Sequence, residues 1–251
     1  CQHLPATFNE YSVEGKSFYG HQDKSMNCNV ILIRHGQSIY NLENKFTGWK
    51  DVELTDKGKQ EALSCSNLIK KYKIDACYTS NLKRAQNTLS IITDNLNIKP
   101  PVEYDVCLNE RDYGDLIGKN KKDTAIKYGE KQVEIWRRSF DTPPPNGESL
   151  KMTCERVIPY LENKIYSDIH ANNYKNIIIA AHGNSIRAII KHVLNYSPEL
   201  ILKTEIGWCE PWILTFNEGE IVNLEIIPRK NSKTMSSLPH LPNFKKTDSI
   251  S

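Results

Sequence analysis

The strongest constraint on the fold is the alternation of short apolar runs with segments of helical periodicity. Residues 30–33 and 176–181 contain runs of Val, Ile, Leu and Ala, and residues 76–79 form a shorter run. Such runs predict strands that are buried on both faces. Apolar residues recur three or four positions apart after Thr55 and within residues 82–96, which predicts amphipathic helices. The sequence therefore favours an α/β fold of three layers, with a mostly parallel central sheet flanked by helices.

The rest of the chain continues this pattern to its final hairpin. Prolines and glycines mark its breaks, because both residues interrupt regular helices. In chain order, we expect an extended segment over residues 102–108, one or two amphipathic helices over 119–140, a break at 143–147, a long helix from about 148, a helix over 185–194, and a hairpin formed by 212–216 and 220–227. The segment between 115 and 146 is a candidate cap over the sheet edge.

The composition is that of one folded, water-soluble domain. The chain has 251 residues, of which 39% are hydrophobic and 25% are charged. We place this domain at residues 29–228. Residues 1–28 are predicted to be a flexible extension, and the tail from 229 to 251 is predicted to be mobile or to lie on the surface.

Charge and cysteine usage exclude several classes of protein. A net charge of +3 without a basic stripe does not favour nucleic acid binding. No apolar run is long enough to predict a signal peptide or a membrane span. The seven cysteines form no CxxC pair, which disfavours a disulfide framework and a zinc site, and no HxH or HExxH motif predicts another metal. We expect a cytoplasmic, metal-independent protein.

The candidate chemistry lies where predicted strands end. Arg34 and His35 follow the first strand, and His182 follows the strand that ends at 181. Ligands of open α/β sheets bind at the carboxyl ends of strands, so the two histidines are expected to meet there. Arg84, in the first turn of a predicted helix, adds a second guanidinium, and Glu110 is expected at another strand end. A neutral imidazole can accept a phosphoryl group, guanidinium groups bind its oxygens, and a carboxylate can move a proton.

Each of these signals is weak alone, since a single Arg-His-Gly tripeptide arises by chance. Together they resemble the signature of the histidine phosphatase superfamily, and the further blocks are similar to its cofactor-dependent phosphoglycerate mutase branch, short form. The matching segments are Leu-Ile-Arg-His-Gly-Gln-Ser at 32–38, Asn-Lys-Phe-Thr-Gly-Trp at 44–49, Tyr-Thr-Ser-Asn-Leu-Lys-Arg-Ala at 78–85, Leu-Asn-Glu-Arg-Asp-Tyr-Gly at 108–114, Trp-Arg-Arg-Ser-Phe at 136–140, Gly-Glu-Ser-Leu at 147–150 and Ala-Ala-His-Gly-Asn-Ser at 180–185. The resemblance covers roughly residues 29–228.

The resemblance implies a glycolytic and gluconeogenic enzyme that interconverts 3-phosphoglycerate and 2-phosphoglycerate. It implies that His35 is the phosphorylated nucleophile, that 2,3-bisphosphoglycerate primes it, and that His182 stabilises the phosphoryl group in transit. Arg34, Arg84 and Asn41 would bind phosphoryl oxygens, with Glu110 as acid and base. The resemblance further implies that the pocket is lined by Ser38, Thr47, Gly48, Gly183 and Asn184, and that the substrate carboxylate and second phosphate are held by Arg111, Tyr113, Lys121, Arg137 and Arg138. Dimers and tetramers are common in this branch, so the resemblance also implies a homo-oligomer.

One segment departs from the family pattern. Residues 206–211 contain Trp208 and Glu210 where the family has small residues near the floor of the active site. Such bulk or charge could narrow the pocket, alter a subunit contact or weaken activity. Two alternatives to the mutase follow: a phosphatase that acts on bisphosphoglycerate or other small phosphate esters, and a binding or regulatory module without turnover.

Overall fold

A six-stranded mixed sheet forms the centre of the fold. This computed structural model describes residues 26–229, 234–242 and 244. The strands are β1 (Cys28–Arg34), β2 (Ala76–Thr79), β3 (Val102–Tyr104), β4 (Asn176–Ala181), β5 (Trp212–Asn217) and β6 (Glu220–Ile226), in the order β3-β2-β4-β1-β5-β6. The first four of that order pair in parallel, whereas β5 is antiparallel to both β1 and β6. The predicted fold class and closing hairpin are therefore confirmed.

Helices connect the strands and cover the sheet. They are α1 (Ile39–Leu42), α2 (Asp56–Leu68), α3 (Lys83–Asn95), α4 (Lys121–Tyr128), α5 (Glu130–Arg138), α6 (Leu150–Tyr160), α7 (Ser167–Asn172), α8 (Gly183–Leu194) and α9 (Pro198–Leu202), and a π-helical stretch, Leu161–Tyr166, joins α6 to α7. Side-chain caps explain several starts: Thr55 accepts a hydrogen bond from the Gly58 amide, and Ser149 accepts one from the Met152 amide.

The two faces of β1 enter two different apolar cores. Val30 and Leu32 pack with the helices of one side, and Ile31 and Ile33 pack with α2 and α3 on the other. Successive side chains of a strand point to opposite faces, so a continuous apolar run is what a sheet covered on both sides requires. This alternation accounts for the three predicted layers.

The prediction of an extended segment over residues 102–108 is correct up to Tyr104 and wrong beyond it. A 3₁₀ turn, Val106–Leu108, follows instead, and the Asp105 side chain accepts a hydrogen bond from the Cys107 amide at its start. An aspartate that binds the backbone two residues ahead favours a turn over a strand. Glu110 therefore lies beyond a turn, not at a strand end as predicted.

The ends of the described chain join the core. Met26 and Cys28 are buried, and Ser236 is buried far along the predicted tail. Most of residues 1–28 and part of 229–251 lie outside the described residues. The cysteines at 28, 65, 77, 154 and 209 are free and buried. None of the helices in the described part of the chain is long and apolar enough to cross a membrane.

Two glycines let the loop after β1 touch the start of α2. A Cβ atom on Gly36 would lie 2.3 Å from the Gly58 carbonyl oxygen, and one on Gly58 would lie 2.1 Å from the Gln37 carbonyl oxygen. Both distances are shorter than any allowed contact. The two backbones can therefore meet only without side chains, and this contact fixes the loop that carries His35.

We expect Gly58→Ala to lower the free energy of unfolding by roughly 1–3 kcal/mol, because the added methyl group must push this loop away from the helix. The neighbouring exposed substitution Lys59→Ala should change it by less than about 0.5 kcal/mol. Urea denaturation of the two variants tests this, and equal stabilities would contradict the close contact.

Candidate active site

A cleft of about 170 Å³ opens at the carboxyl ends of β1 and β4. Seven lysines and arginines and only two carboxylates line it, namely Arg34, Lys45, Arg84, Lys121, Arg137, Arg138, Arg187, Glu110 and Glu205. Parallel strands bring their carboxyl ends to one edge, where helix amino termini also gather. The excess of positive charge suits a ligand with several negative groups.

His35 lies at the floor of the cleft and is 3% exposed. Its Nδ1 atom is 2.6 Å from the Gly36 carbonyl oxygen, which can only accept, so Nδ1 carries the proton. The Arg84 Nε–H group donates to Nε2 at 3.3 Å. Burial, and then the positive charges of Arg84 and Arg34, hold the imidazole pKa well below its usual value of 6.5. A neutral ring with its lone pair on Nε2 is the form that can attack a phosphorus atom.

His182 packs against His35, with ring centroids 5.1 Å apart. Its Nε2 atom is 2.7 Å from the Ser80 hydroxyl oxygen, and its Nδ1 atom is buried without a hydrogen-bond partner in the structure. Burial, followed by the positive charge of Arg84, holds the pKa of His182 well below 6.5. A buried polar atom without a partner is costly unless a ligand or water satisfies it.

The two arginines at the floor are held by backbone carbonyl groups. Arg84 donates to the Gly48 oxygen at 2.7 Å and to the Lys50 oxygen at 2.8 Å. Arg34 donates through Nη1 to the Ile206 oxygen at 2.8 Å, while its buried Nε has no partner in the structure. Burial lowers the pKa of Arg84 to about 10, so this side chain stays charged at neutral pH. Burial also lowers the pKa of Arg34. Fixed cations of this kind need no rearrangement to bind an anion.

Glu110 enters the cleft from the loop after the 3₁₀ turn. Its Oε1 atom accepts hydrogen bonds from the Arg111 amide at 2.7 Å and from the Asn184 amide at 3.1 Å. Arg156 supports this loop from behind, because it donates to the carbonyl oxygens of Cys107, Asn109 and Glu110 at 2.7–3.0 Å. The orientation of the Glu110 carboxylate therefore depends on a guanidinium outside the cleft.

The far wall of the cleft is formed by α4 and α5. Lys121 begins α4, and Arg137 and Arg138 end α5. The Lys121 ammonium and the Arg137 guanidinium lie 5.7 and 5.9 Å from the centre of the Phe46 ring. Burial, followed by repulsion from Arg137, lowers the pKa of Lys121 to about 8. The predicted cap thus carries a second group of cations opposite the histidines.

Comparison with known proteins identifies the family of this chain. The family model described as histidine phosphatase superfamily (branch 1) matches residues 30–226. The chain belongs to the histidine phosphatase superfamily. A relative from Gloeobacter violaceus, named 2,3-bisphosphoglycerate-dependent phosphoglycerate mutase 2, is 49% identical over 201 residues, covering 80% of this chain and 91% of the relative. A Cytophaga hutchinsonii relative named 2,3-bisphosphoglycerate-dependent phosphoglycerate mutase is 42% identical over 213 residues, covering 85% and 95%.

The fold of this superfamily member is also found among solved structures. The crystal structure of a phosphoglycerate mutase from Bacillus anthracis superposes with a TM-score of 0.66 at 18% identity, covering 82% of this chain and 95% of that one. Identity at that level supports the fold alone.

The structure brings most of the site residues predicted from the sequence into one cleft. Those that line it are Arg34, His35, Asn41, Thr47, Gly48, Arg84, Glu110, Tyr113, Lys121, Arg137, Arg138, Gly183 and Asn184. Three predicted residues lie beneath it: His182, Ser38 and Arg111. Ser38 caps α1 and donates to the Asn41 side chain, while Arg111 donates to the Glu148 carbonyl oxygen at 2.6 Å. Ser38 and Arg111 thus hold their neighbours in place from below.

Four lining residues were not predicted: Lys45, Phe46, Arg187 and Glu205. Lys45 and Phe46 lie inside a matching segment, and Arg187 lies one helical turn after Gly183, so each had a signal in the sequence. Glu205 had none, because it follows a short helix on a loop of no recognisable pattern.

The segment that departs from the family pattern, residues 206–211, does not fill the cleft. Neither Trp208 nor Glu210 is among the described residues that line it. The Trp208 ring lies 5.6 Å from the Arg34 guanidinium carbon, outside the cleft. Glu210 is 1% exposed and accepts hydrogen bonds from the amides of Met235 and Ser236. Neither side chain therefore occupies the cleft itself. In the described part of the chain, no group of three His, Cys, Asp or Glu residues is arranged to hold a metal ion.

We expect both histidines of the site to remain neutral well below pH 6.5, because burial and the neighbouring arginines disfavour the imidazolium. The unfolded chain binds these protons first, so the free energy of unfolding should fall as the pH drops below 6.5. Histidine ring resonances, assigned with His35→Asn, would measure the titrations. A His35 midpoint at or above 6.5 would contradict the neutral ring.

Proposed function

We propose that the protein is a phosphoglycerate mutase that interconverts 3-phosphoglycerate and 2-phosphoglycerate and depends on 2,3-bisphosphoglycerate. The observation that carries this proposal is the presence of two cationic groups on opposite walls, Arg34 and Arg84 beside His35 and Lys121 with Arg137 and Arg138 across the cleft. A single phosphoryl group needs only the first. A ligand with anionic groups at both ends needs the second as well, and the names of the sequence relatives agree.

The residues present fit a bisphosphorylated cofactor. The buried Arg34 Nε–H has no partner, and a Cβ atom on Gly183 would lie 3.5 Å from it, so that glycine leaves space beside the donor. Arg34, Arg84 and Asn41 would hold one phosphate, and Lys121, Arg137 and Arg138 the other end. When bound, 2,3-bisphosphoglycerate would supply the phosphoryl group that primes the site.

In this proposal His35 carries the phosphoryl group on Nε2. The bond from Nδ1 to the Gly36 oxygen keeps the ring in the required tautomer and stabilises the positive charge that develops on the imidazole. Arg84 already contacts Nε2 and can follow the phosphoryl oxygens as they arrive. His182, whose ring centroid lies 5.1 Å from that of His35, is placed to share that charge from the side.

Glu110 is proposed to move the proton of the substrate hydroxyl. Its two amide hydrogen bonds both go to Oε1, which orients the carboxylate and leaves Oε2 for proton exchange. The cap formed by α4 and α5 would exclude water, which protects a phosphorylated histidine from hydrolysis. A phosphatase, in contrast, must admit water to the phosphorylated histidine.

The first test is a coupled enolase assay on 3-phosphoglycerate, with and without 2,3-bisphosphoglycerate, with phosphate release followed in the same sample. We expect turnover that needs the bisphosphate, survives EDTA and disappears in His35→Ala, because that variant lacks the acceptor nitrogen. Phosphate release that outpaces isomerisation would favour the phosphatase. A stable phosphohistidine without turnover would indicate the regulatory module, and turnover in His35→Ala would exclude a covalent step at this residue.

A second test concerns Arg156 as a positioning residue for Glu110. We expect Arg156→Lys to lower kcat roughly tenfold to a hundredfold with little change in KM, because a lysine cannot reach several carbonyl groups at once and the carboxylate shifts. In a Glu110→Gln background the same change should have little further effect on kcat. Full additivity of the two losses would show that Arg156 acts on something other than Glu110.

A further inference from the structure

Glu205 makes an unusual contact at the outer end of the cleft, the part lined by Arg138, Arg187 and Glu205. Its Oε1 atom lies 3.4 Å from Arg138 Nη1, and its Oε2 atom lies 3.1 Å from Arg187 Nη2. A carboxylate that joins two guanidinium groups has the geometry with which an anionic ligand group would bind them. The chain therefore places its own anion where the cleft offers two positive groups.

Arg187 does not depend on Glu205 for its position. It donates through Nε to the Thr204 carbonyl oxygen at 2.9 Å and through Nη1 to the Asn184 side-chain oxygen at 3.2 Å. Its side chain is only 15% exposed. A Cβ atom on Gly183 would lie 3.5 Å from both Arg187 Nη1 and Arg34 Nε, so this glycine leaves a gap between the two guanidinium groups. Arg187 thus continues the cationic lining from the floor outward.

The Glu205 backbone, in contrast, is fixed by the far end of the chain. Its amide and carbonyl groups pair with those of Ser237, at 3.0 Å in each direction. The adjacent Ser236 hydroxyl donates to the buried Glu210 carboxylate at 2.9 Å and accepts a bond from the Gly207 amide at 2.9 Å. The backbone holds Glu205 at the rim, while its side chain is 46% exposed and can turn into water without disturbing this pairing.

We propose that Arg138 and Arg187 form an anion subsite that the Glu205 side chain fills in the free protein and leaves when a ligand binds. The ligand class is a small phosphate ester with a second anionic group, carboxylate or phosphate, which takes the place of the Glu205 carboxylate. The identity of that ester as a phosphoglycerate rests on the proposed function. Glu205 thereby lowers the affinity of the cleft for any ligand that reaches its outer end.

Glu205→Gln tests this directly, with titration calorimetry of 3-phosphoglycerate binding as the measurement. The matched control is Glu199→Gln, an exposed residue with the same change in net charge. Exposed ion pairs are weak, so we expect about threefold to fivefold tighter binding in Glu205→Gln and no change in the control. Unchanged or weaker binding in Glu205→Gln would overturn the proposal, since Glu205 would then be idle or would serve to position the arginines.

A double-mutant comparison gives the second readout. Arg187→Gln should weaken 3-phosphoglycerate binding by a larger factor in the Glu205→Gln background than in the parent, because the parent ligand must first displace the carboxylate. An equal factor in both backgrounds would contradict competition between ligand and Glu205. Thermal melting of each variant confirms that the compared proteins are folded.

These experiments test the anion subsite separately from the proposed mutase function. Tighter binding in Glu205→Gln without isomerase turnover would disprove the mutase and still support the subsite. If 3-phosphoglycerate binds neither protein, the proposed function is wrong, and the same comparison with inorganic pyrophosphate, which also carries two anionic groups, decides the subsite by the same criterion.

Discussion

The parallel pairing of β1 with β4 is the constraint on which the site depends. Arg34 is paired with Ala181, so the next residue of each strand, His35 and His182, emerges at the same height of the sheet. The rings meet at 5.1 Å because of this register. A slip by one residue would turn one of them to the opposite face. The apolar side chains that fix the register by burial on both faces therefore also align the chemistry.

A second constraint is the burial of positive charge. Moving a charged group out of water costs free energy unless polar groups of the protein replace the water molecules that solvated it. Here the partners of Arg84 at its terminal nitrogens are carbonyl oxygens rather than carboxylates. Neutral partners hold the guanidinium in place but leave its charge uncompensated, so the cleft retains attraction for an anion. The same field holds both histidines neutral, which is the state in which an imidazole can accept a phosphoryl group.

The departing segment at residues 206–211 changes the surroundings of the site rather than its lining. The Ile206 carbonyl oxygen binds Arg34, and the Cys209 amide donates to the Arg34 carbonyl oxygen at 2.9 Å. Glu210 points away from the cleft, where its carboxylate binds the amide of Ser236. A Cβ atom on Gly207 would lie 1.8 Å from the Glu210 carboxylate oxygen, so the glycine and the buried acid occupy adjoining space. This segment links the floor of the cleft to the chain near Ser236.

Five of the six strands, the helices after Thr55 and Leu82, and the meeting of His35 with His182 follow from the sequence alone, because apolar periodicity and capping are local properties and parallel strands end at one edge. The matching segments also placed the cations of the cap. Three features of the site depend on the folded chain. A turn and Arg156 position Glu110, the side chains of His182, Ser38 and Arg111 lie beneath the cleft, and Glu205 reaches two arginines at its rim. Those contacts join chain segments far apart in sequence, and their geometry depends on how charges and carbonyl groups satisfy one another after packing, which no local pattern encodes.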